Sequence, residues 1–417
     1  MRLLVVSPAF PYPLIKGIKI RLFNIVSQLA RQHEVHLAAM ALKEDPASCP
    51  ELEAVVTSLT RLPSPRMVWD PEHRTGLIED LGHAASKVLR SEPNLVAIHV
   101  TPALKEAMTA LSAIPFDAAF CFRTYLYPQV AALAGDRPVL VDFDDVEHVK
   151  LREQSAHSAG KLTPFLDRVE SGKLQKWEHW IAREAAASFV CSEADRTHFP
   201  PEVRPRIHVL PNGAHFGPPE PPAASGAESS GPNARPRLLL LGDMGYLPNA
   251  DSAITFCEHI LPRIRSEVPA VEVAIVGNHP GPEVKALARI PGVEVTGFVP
   301  DVAPWFKSAA IVVVPIRFGG GTRIKILEAL RHRRAVVATP AGAAGLDPES
   351  GKHLIVAEND ADFAAQVVAL LRDPERRTAL GATGEAWARQ TFAWERIGDR
   401  LLAMVEQVVQ RAPATRS

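Results

Sequence analysis

Cysteine is scarce. The 417 residues include four, Cys49, Cys121, Cys191 and Cys257, set far apart and without a CxxC pair. That excludes a disulfide framework and a zinc site and suits a reducing, cytoplasmic compartment. An excess of either charge is also missing: 46 Lys and Arg stand against 47 Asp and Glu, for a formal net charge of -1. Nucleic-acid binders show a basic excess, so no nucleic acid is expected as a partner. No uncharged apolar run reaches about 18 residues, so no helix is expected to span a membrane. Peripheral contact with the inner membrane face stays open. The opening MRLLVVSPAFPYPL lacks the long apolar core and small-residue cleavage site of a signal peptide and reads as a buried first strand. Two phosphate-binding fingerprints are absent as well. There is no G-x-x-x-x-G-K-[ST], and VVSPAFPYP has no G-x-G-x-x-G, which disfavours a dehydrogenase.

What is present is apolar and periodic. Apolar residues make up 47% of the chain, and at roughly 150 residues per domain the length predicts two or three domains. RLLVVS, EVHLAAM, LVAIHV, DAAFCF and PVLVDF read as strands, separated by helical stretches such as IRLFNIVSQLARQ and TPALKEAMTALSA. Residues 217–236, GPPEPPAASGAESSGPNARP, lose all apolar periodicity and read as a linker. Strands then resume with RLLLLGD, VEVAIVG, VEVTGF, AAIVVVPI, AVVATP and HLIVAE, and WERIGDRLLAMVEQVVQ closes the chain as a helix. Apolar strands alternating with helices predict parallel sheets covered on both faces. The expected fold class is α/β, with two Rossmann-like domains facing each other across a cleft. Domain one spans 1–216, the linker 217–236 and domain two 237–390; residues 391–417 form a helix crossing back to the first domain. Ligands in open α/β sheets bind outside the carboxyl ends of strands, so the cleft is the expected site.

One stretch concentrates the chemistry. In RFGGGTRIKILEAL, residues 317–330, three glycines fall just past the strand AAIVVVPI. Gly319, Gly320 and Gly321 allow a backbone to approach a ligand without Cβ clashes. A helix starting near Thr322 would offer free N–H groups to an anion, and Arg323 and Lys325 add charge. Glu328 follows about two turns in, where a carboxylate suits two ribose hydroxyls. The other reading is a plain glycine turn with Arg323, Lys325 and Glu328 on a solvated face.

Several stretches occur in one order: SPAFPYPLIKGIKIRLFNIVSQLARQHEVHLAAM, SFVCSEADRTHF, VLPNGAHF, LGDMGYLPNADSAITFCEHILPRI, VEVTGFVPDVAPWFKSAAIVVVP and GGGTRIKILEALRHRRAVVATPAGAAGL. Together they resemble the family-4 retaining glycosyltransferases of the GT-B type, over residues 1 to about 400, and a GGGTR-containing subgroup found among polysaccharide-biosynthesis enzymes. The resemblance implies transfer of a sugar from a nucleotide-sugar donor to an acceptor hydroxyl, with retention and without a metal or other cofactor. The second domain would bind the donor and the first the acceptor, a glycan or lipid-linked molecule.

Residue by residue, Glu328 matches the Glu that holds the donor ribose. Gly320 stands where the family has another Glu near the donor sugar. The Arg and Lys that clamp the diphosphate after the first strand of the second domain are also absent, replaced by GDMGYLPNAD. Arg323 and Lys325 are expected to supply that charge. Gly297 and Phe298 match the segment beside the nucleotide base, and Gly17 the glycine near the donor phosphates. Of Lys16, Lys19 and Arg21, Arg21 is the one expected at the cleft. Asp144 occupies the place of a His near the reacting carbon, with Asp142, Asp145, Glu147 and His148 close by. Such acids would bind acceptor hydroxyls or move a proton, or merely cap a helix. Ser192 and Glu193 are expected to cap a helix, Pro211–Gly213 to turn into the linker, and Trp394 to pack. Two other readings share the fold: a nucleotide-sugar 2-epimerase, and a sugar-nucleotide-binding protein with a decayed site.

Overall fold

A computed structural model describes residues 1–14, 16–64, 90–156, 162–217, 235–319 and 323–411. The proposed linker between 218 and 234 lies outside them. The chain divides into two units, Met1–Pro211 with Trp394–Ser417, and Asn212–Ala393.

Among the described residues the first unit has seven strands: β1 (Arg2–Ser7), β2 (Glu34–Ala41), β3 (Ser58–Pro63), β4 (Ala118–Phe122), β5 (Val139–Asp142), β6 (Ala187–Val190) and β7 (Ile207–Val209). They lie in the order β3-β2-β1-β4-β5-β6-β7, every pair parallel. Both faces of the sheet are buried, which is why its strands read as continuous apolar runs. In β1, Leu3 and Val5 enter one core and Leu4 and Val6 the other. The Gly17–Leu29 helix returns from β1 and buries Leu22, Ile25, Val26 and Leu29, a helical stripe. Against the same core lies the Trp394–Arg411 helix, through Trp394, Ile397, Leu401, Leu402 and Val405. Trp394 is 1% exposed and packs as expected.

LVAIHV is a correction. It is not a strand: Asn94–Ala97 forms a short helix capped by Pro93, with Ala97 N–H donating to Pro93 O at 3.0 Å. Proline fixes φ near its helix-start value and lacks the N–H that a ladder would need. The edge position belongs instead to β3, SLTRLP, which pairs with β2 from Ser58 opposite His36 to Pro63 opposite Ala41. A proline at the end of an edge strand removes no needed bond.

The second unit repeats the plan with β8 (Arg237–Leu241), β9 (Glu272–Val276), β10 (Val293–Gly297), β11 (Ile311–Val314), β12 (Ala335–Ala338) and β13 (Ile355–Val356). Their order is β10-β9-β8-β11-β12-β13, again all parallel. Ile311 and Val313 face one core, Val312 and Val314 the other. After β8 the chain forms the Leu247–Thr255 helix, a π-helical turn at Phe256–Ile260, and the Leu261–Glu267 helix. Pro262 has no N–H to give, and the wider turn ahead of it absorbs the break. The helices Ile324–Arg331, Asp360–Arg372 and Pro374–Phe392 complete the layers. Among the described residues no helix is long and apolar enough to cross a membrane.

Candidate functional site

In the second unit the strand order reverses direction between β8 and β11. Loops leaving such neighbours diverge to opposite faces and open a crevice at the carboxyl edge. Glycine ends the strands there: Gly242 follows β8, Gly277 follows β9, and Gly297 closes β10. Only a bare backbone fits at Gly277. Its φ is +152°, and a Cβ would sit 1.7 Å from Gly242 O. Phe298, just past Gly297, is 62% exposed. Gly319, in the loop after β11, has φ +109°, and a Cβ there would lie 3.1 Å from Tyr246 Oη.

Of the cations expected at this edge, two are present in different roles. Lys325, in the first turn of the Ile324–Arg331 helix, donates from Nζ to Asn249 Oδ1 at 2.7 Å. Asn249 Nδ2 in turn donates to Asp243 O at 2.8 Å. Burial lowers the ammonium pKa to about 7, and repulsion from Arg323 adds to that. Arg323 is 6% exposed and turns its guanidinium to backbone, donating to Ala341 O at 3.1 Å and to Gly319 O. It ties the loops after β11 and β12 together. Glu328 lies three residues beyond Lys325, its carboxylate 3.6 Å from Arg331 Nε and a quarter exposed. Burial raises its pKa, against Arg331 and His215. Gly320, Gly321 and Thr322 lie outside the described residues.

The first unit gathers the other expected residues at the tips of β4 and β5. Arg21 and Asp142 form a two-point ion pair, Nε to Oδ2 at 2.8 Å and an Nη to Oδ1 at 2.9 Å, with neither side chain exposed. Asp144 follows at φ +57°, and Arg123 at φ +62°. Both are left-handed, a conformation that costs a non-glycine residue free energy and persists only where neighbours enforce it. The neighbours are identifiable. Asp142 Oδ1 accepts from Asp144 N at 3.0 Å. Asp144 Oδ2 accepts from Arg123 at 2.5 Å, and its Oδ1 stands 3.6 Å from Arg21. Arg123 also pairs with Glu147, which accepts from Tyr125 Oη at 2.8 Å. Asp145 pairs with Lys150 at 2.9 Å. Burial raises the Asp144 pKa, opposed first by Arg123, with Asp145 adding to the rise.

The remaining expected residues are dispersed. His148 turns to the buried Glu178, which also accepts from Glu147 N at 2.8 Å. Gly17 begins its helix, exposed, after an extended Lys16. Lys19 is held by Tyr12 O at 2.8 Å and Asp45 at 2.7 Å. Ser192 caps the Glu193–Thr197 helix, its side chain accepting from Asp195 N at 3.1 Å. Sequence reasoning missed Gly242, Gly277, Arg123, Asn249 and Glu178. A glycine closing an apolar run, as in LLLLG and VAIVG, is a legible signal for the first two; the other three carry none.

The sheet order, the glycine-tipped strands and the lysine at the reversal point invite comparison with known proteins. Residues 235–373 match the family described as Glycosyl transferases group 1. The GDP-mannose-dependent alpha-(1-6)-phosphatidylinositol monomannoside mannosyltransferase of Mycolicibacterium smegmatis is 28% identical over 249 residues, 54% of this chain and 63% of that protein. The chain thus matches under two thirds of that relative's length. Sucrose-phosphate synthase from Thermosynechococcus elongatus superposes with a TM-score of 0.70 at 16% identity, over 98% of this chain and 99% of that one. HepE of Anabaena, in complex with UDP and glucose, gives 0.66 at 14% identity, over 98% and 100%. The GT-B architecture of two Rossmann-like units therefore holds for this chain, and the stretch that matches the group 1 glycosyl transferase family lies in its second unit.

Proposed function

We propose that this GT-B protein is a glycosyltransferase that moves a sugar from a nucleotide-sugar donor to an acceptor hydroxyl with retention, as a family-4 enzyme of the GGGTR subgroup. The observation that carries the reading is the Lys325 ammonium at the reversal point between β8 and β11, with Glu328 one helical turn along. Within the matched segment, that pairing suits a diphosphate and a ribose. Support for the donor class comes from the relatives, a GDP-mannose-dependent enzyme and a structure holding UDP and glucose. The acceptor is a glycan or a lipid-linked molecule, the latter in keeping with a relative named for phosphatidylinositol monomannoside. No resident metal or cofactor is proposed, and the site of action is the cytoplasm or the inner membrane face.

In the proposed reaction the acceptor oxygen bonds to the anomeric carbon as the bond from that carbon to the diphosphate breaks. Negative charge grows on the leaving diphosphate, which takes the acceptor proton. Lys325 stabilises that charge, and a preorganised donor of this kind contributes ~3 kcal/mol, about a hundredfold in rate. Glu328 accepts the ribose hydroxyls. Arg323, bonded to Gly319 O and Ala341 O, ties the loops after β11 and β12 together beside Lys325. Gly297 and Phe298 flank the base. Asp144, its oxygens engaged by two arginines, is assigned to the acceptor side as a fixed negative centre, with Arg21, Asp145 and His148 supporting the wall around it.

Donor turnover with GDP-mannose, UDP-glucose and UDP-N-acetylglucosamine tests the reading. Lys325→Ala and Glu328→Ala should each lower turnover of the accepted donor about a hundredfold, with melting temperatures kept near wild type. Undiminished turnover in both variants would remove the assignment.

A further inference from the structure

The segment after β8, GDMGYLPNAD, contains no Lys or Arg. Yet a cation does reach the tip of β8. Lys325 arrives from the helix that follows β11, and Asn249 meets it at 2.7 Å. How tightly the ammonium lies on β8 is visible at Gly242. A Cβ on that glycine would be 2.8 Å from Lys325 Nζ and 2.7 Å from Asn249 Nδ2. Asn249 itself is 8% exposed, on the buried side of the Leu247–Thr255 helix.

We propose that Asn249 is a positioning residue of the donor site: it holds the Lys325 ammonium across the strand-order reversal, over the tip of β8, as the cation for the donor diphosphate. This rests on the glycosyltransferase reading above and deepens it.

The chemistry of the amide suits the task. An ammonium only donates and a carbonyl only accepts. Between Lys325 Nζ and Asp243 O, an asparagine therefore has one satisfied orientation, oxygen to the lysine and nitrogen to the carbonyl. Asn249 Nδ2 makes the second bond at 2.8 Å. Because the anchor is neutral, it fixes the ammonium without cancelling its charge. Aspartate in its place would form an ion pair with Lys325 and set an oxygen against Asp243 O. Alanine would release the ammonium to its own rotamers, which a long flexible stem occupies freely.

The same geometry makes binding sensitive to pH. Burial, aided by Arg323, brings the unliganded ammonium down to about 7. Nearby, the Asp243 carboxylate meets His279 Nδ1 at 3.1 Å, Arg317 donates to Asp251 at 2.8 Å, and Glu328 stands 3.6 Å from Arg331. A dianionic ligand binding next to Lys325 favours its protonated form, so affinity should fall as pH rises above about 7.

Calorimetric titration of the full chain with GDP and with UDP, from pH 6 to pH 9, tests the proposal. For whichever nucleotide binds, Asn249→Ala should weaken affinity at pH 6 about tenfold or more. Asn249→Asp should also weaken it, and its affinity should stay flat to pH 9, because the new carboxylate keeps Lys325 protonated. Melting curves identify a misfolded variant, and the isosteric Asn249→Asp serves if the alanine variant does not fold. Wild-type affinity and pH profile in the Asn249 variants, alongside lost binding in Lys325→Ala, would overturn the role of Asn249 alone. Wild-type binding in Lys325→Ala, or no binding of either nucleotide to the native chain, would overturn the donor-site reading beneath it.

Discussion

Replacing Arg21 by Met tests whether the first unit depends on its buried ion pair. The substitution keeps much of the side-chain volume but removes two charge-assisted hydrogen bonds to Asp142, at 2.8 and 2.9 Å. Burial disfavours the Arg21 charge, yet Asp142 and Asp144 raise its pKa above the ordinary arginine value. Losing one member of such a pair strands a charge in a site with no exposure, at a cost of ~3–5 kcal/mol. Asp142→Asn is milder, ~2–3 kcal/mol, since the amide oxygen still accepts and Asp144 remains 3.6 Å from Arg21. The double variant removes both charges and should cost only ~2–3 kcal/mol, chiefly for imperfectly paired polar groups. The coupling is then about 4 kcal/mol. Two units need not unfold together, so the readout is native-state hydrogen exchange at the Arg123 and Phe143 amides. These amides donate to Asp142 O and Phe189 O at the same strand tips, and their protection reports the opening free energy locally. If the single effects add to the double within ~0.5 kcal/mol, the two side chains are not coupled and the argument fails.

Gly277→Ala should lower the stability of the second unit by about 3 kcal/mol or more, because its Cβ meets the backbone oxygen of Gly242 and cannot be relieved by a rotamer change. Scanning calorimetry would show a drop of roughly 6–12 °C for a unit of this size, and an unshifted transition would contradict the close approach of β8 and β9. Asp195 carries a pKa raised by burial to about 6, with the Ser192 hydrogen bond opposing. A carboxyl that holds its proton more firmly in the folded state adds stability below pH 4 that is lost as pH rises from about 4 to 6. Urea midpoints of Asp195→Asn should therefore decline less than wild type across that window; parallel profiles would refute the assignment.

Particular residues show why the fold was legible in the sequence and the sites less so. Strands such as AAIVVVPI and DAAFCF announce themselves because both faces of each sheet are covered, leaving unbroken apolar runs. LVAIHV misled because a short apolar run has no period of its own, and Pro93 decided its conformation. SLTRLP, with an arginine inside it, hid an edge strand. Lys325 and Arg323 are two residues apart and look equivalent in sequence. Only the fold shows that one reaches another strand's tip and the other bonds to backbone carbonyls. Arg21 was singled out among three cations, but its partner lies 121 residues away, a separation that no local pattern encodes. Asn249 meets Lys325 across 76 residues and Arg123 meets Asp144 across 21, also beyond the reach of a local pattern.

Trp394 and the helix it begins belong to the first unit, although 182 residues of the second unit, Asn212–Ala393, are made in between. Domains generally fold as they leave the ribosome, amino-terminal ones first. Here the first unit emerges early but unfinished, with Leu22 and Ile25 still waiting for Ile397 and Leu401 to cover their side of the core. The second unit is continuous and has all its strands before that helix is translated. Completion of the earlier-made half is thus deferred until the whole second unit has been made, and a chain stopped short of Trp394 would leave that apolar face bare.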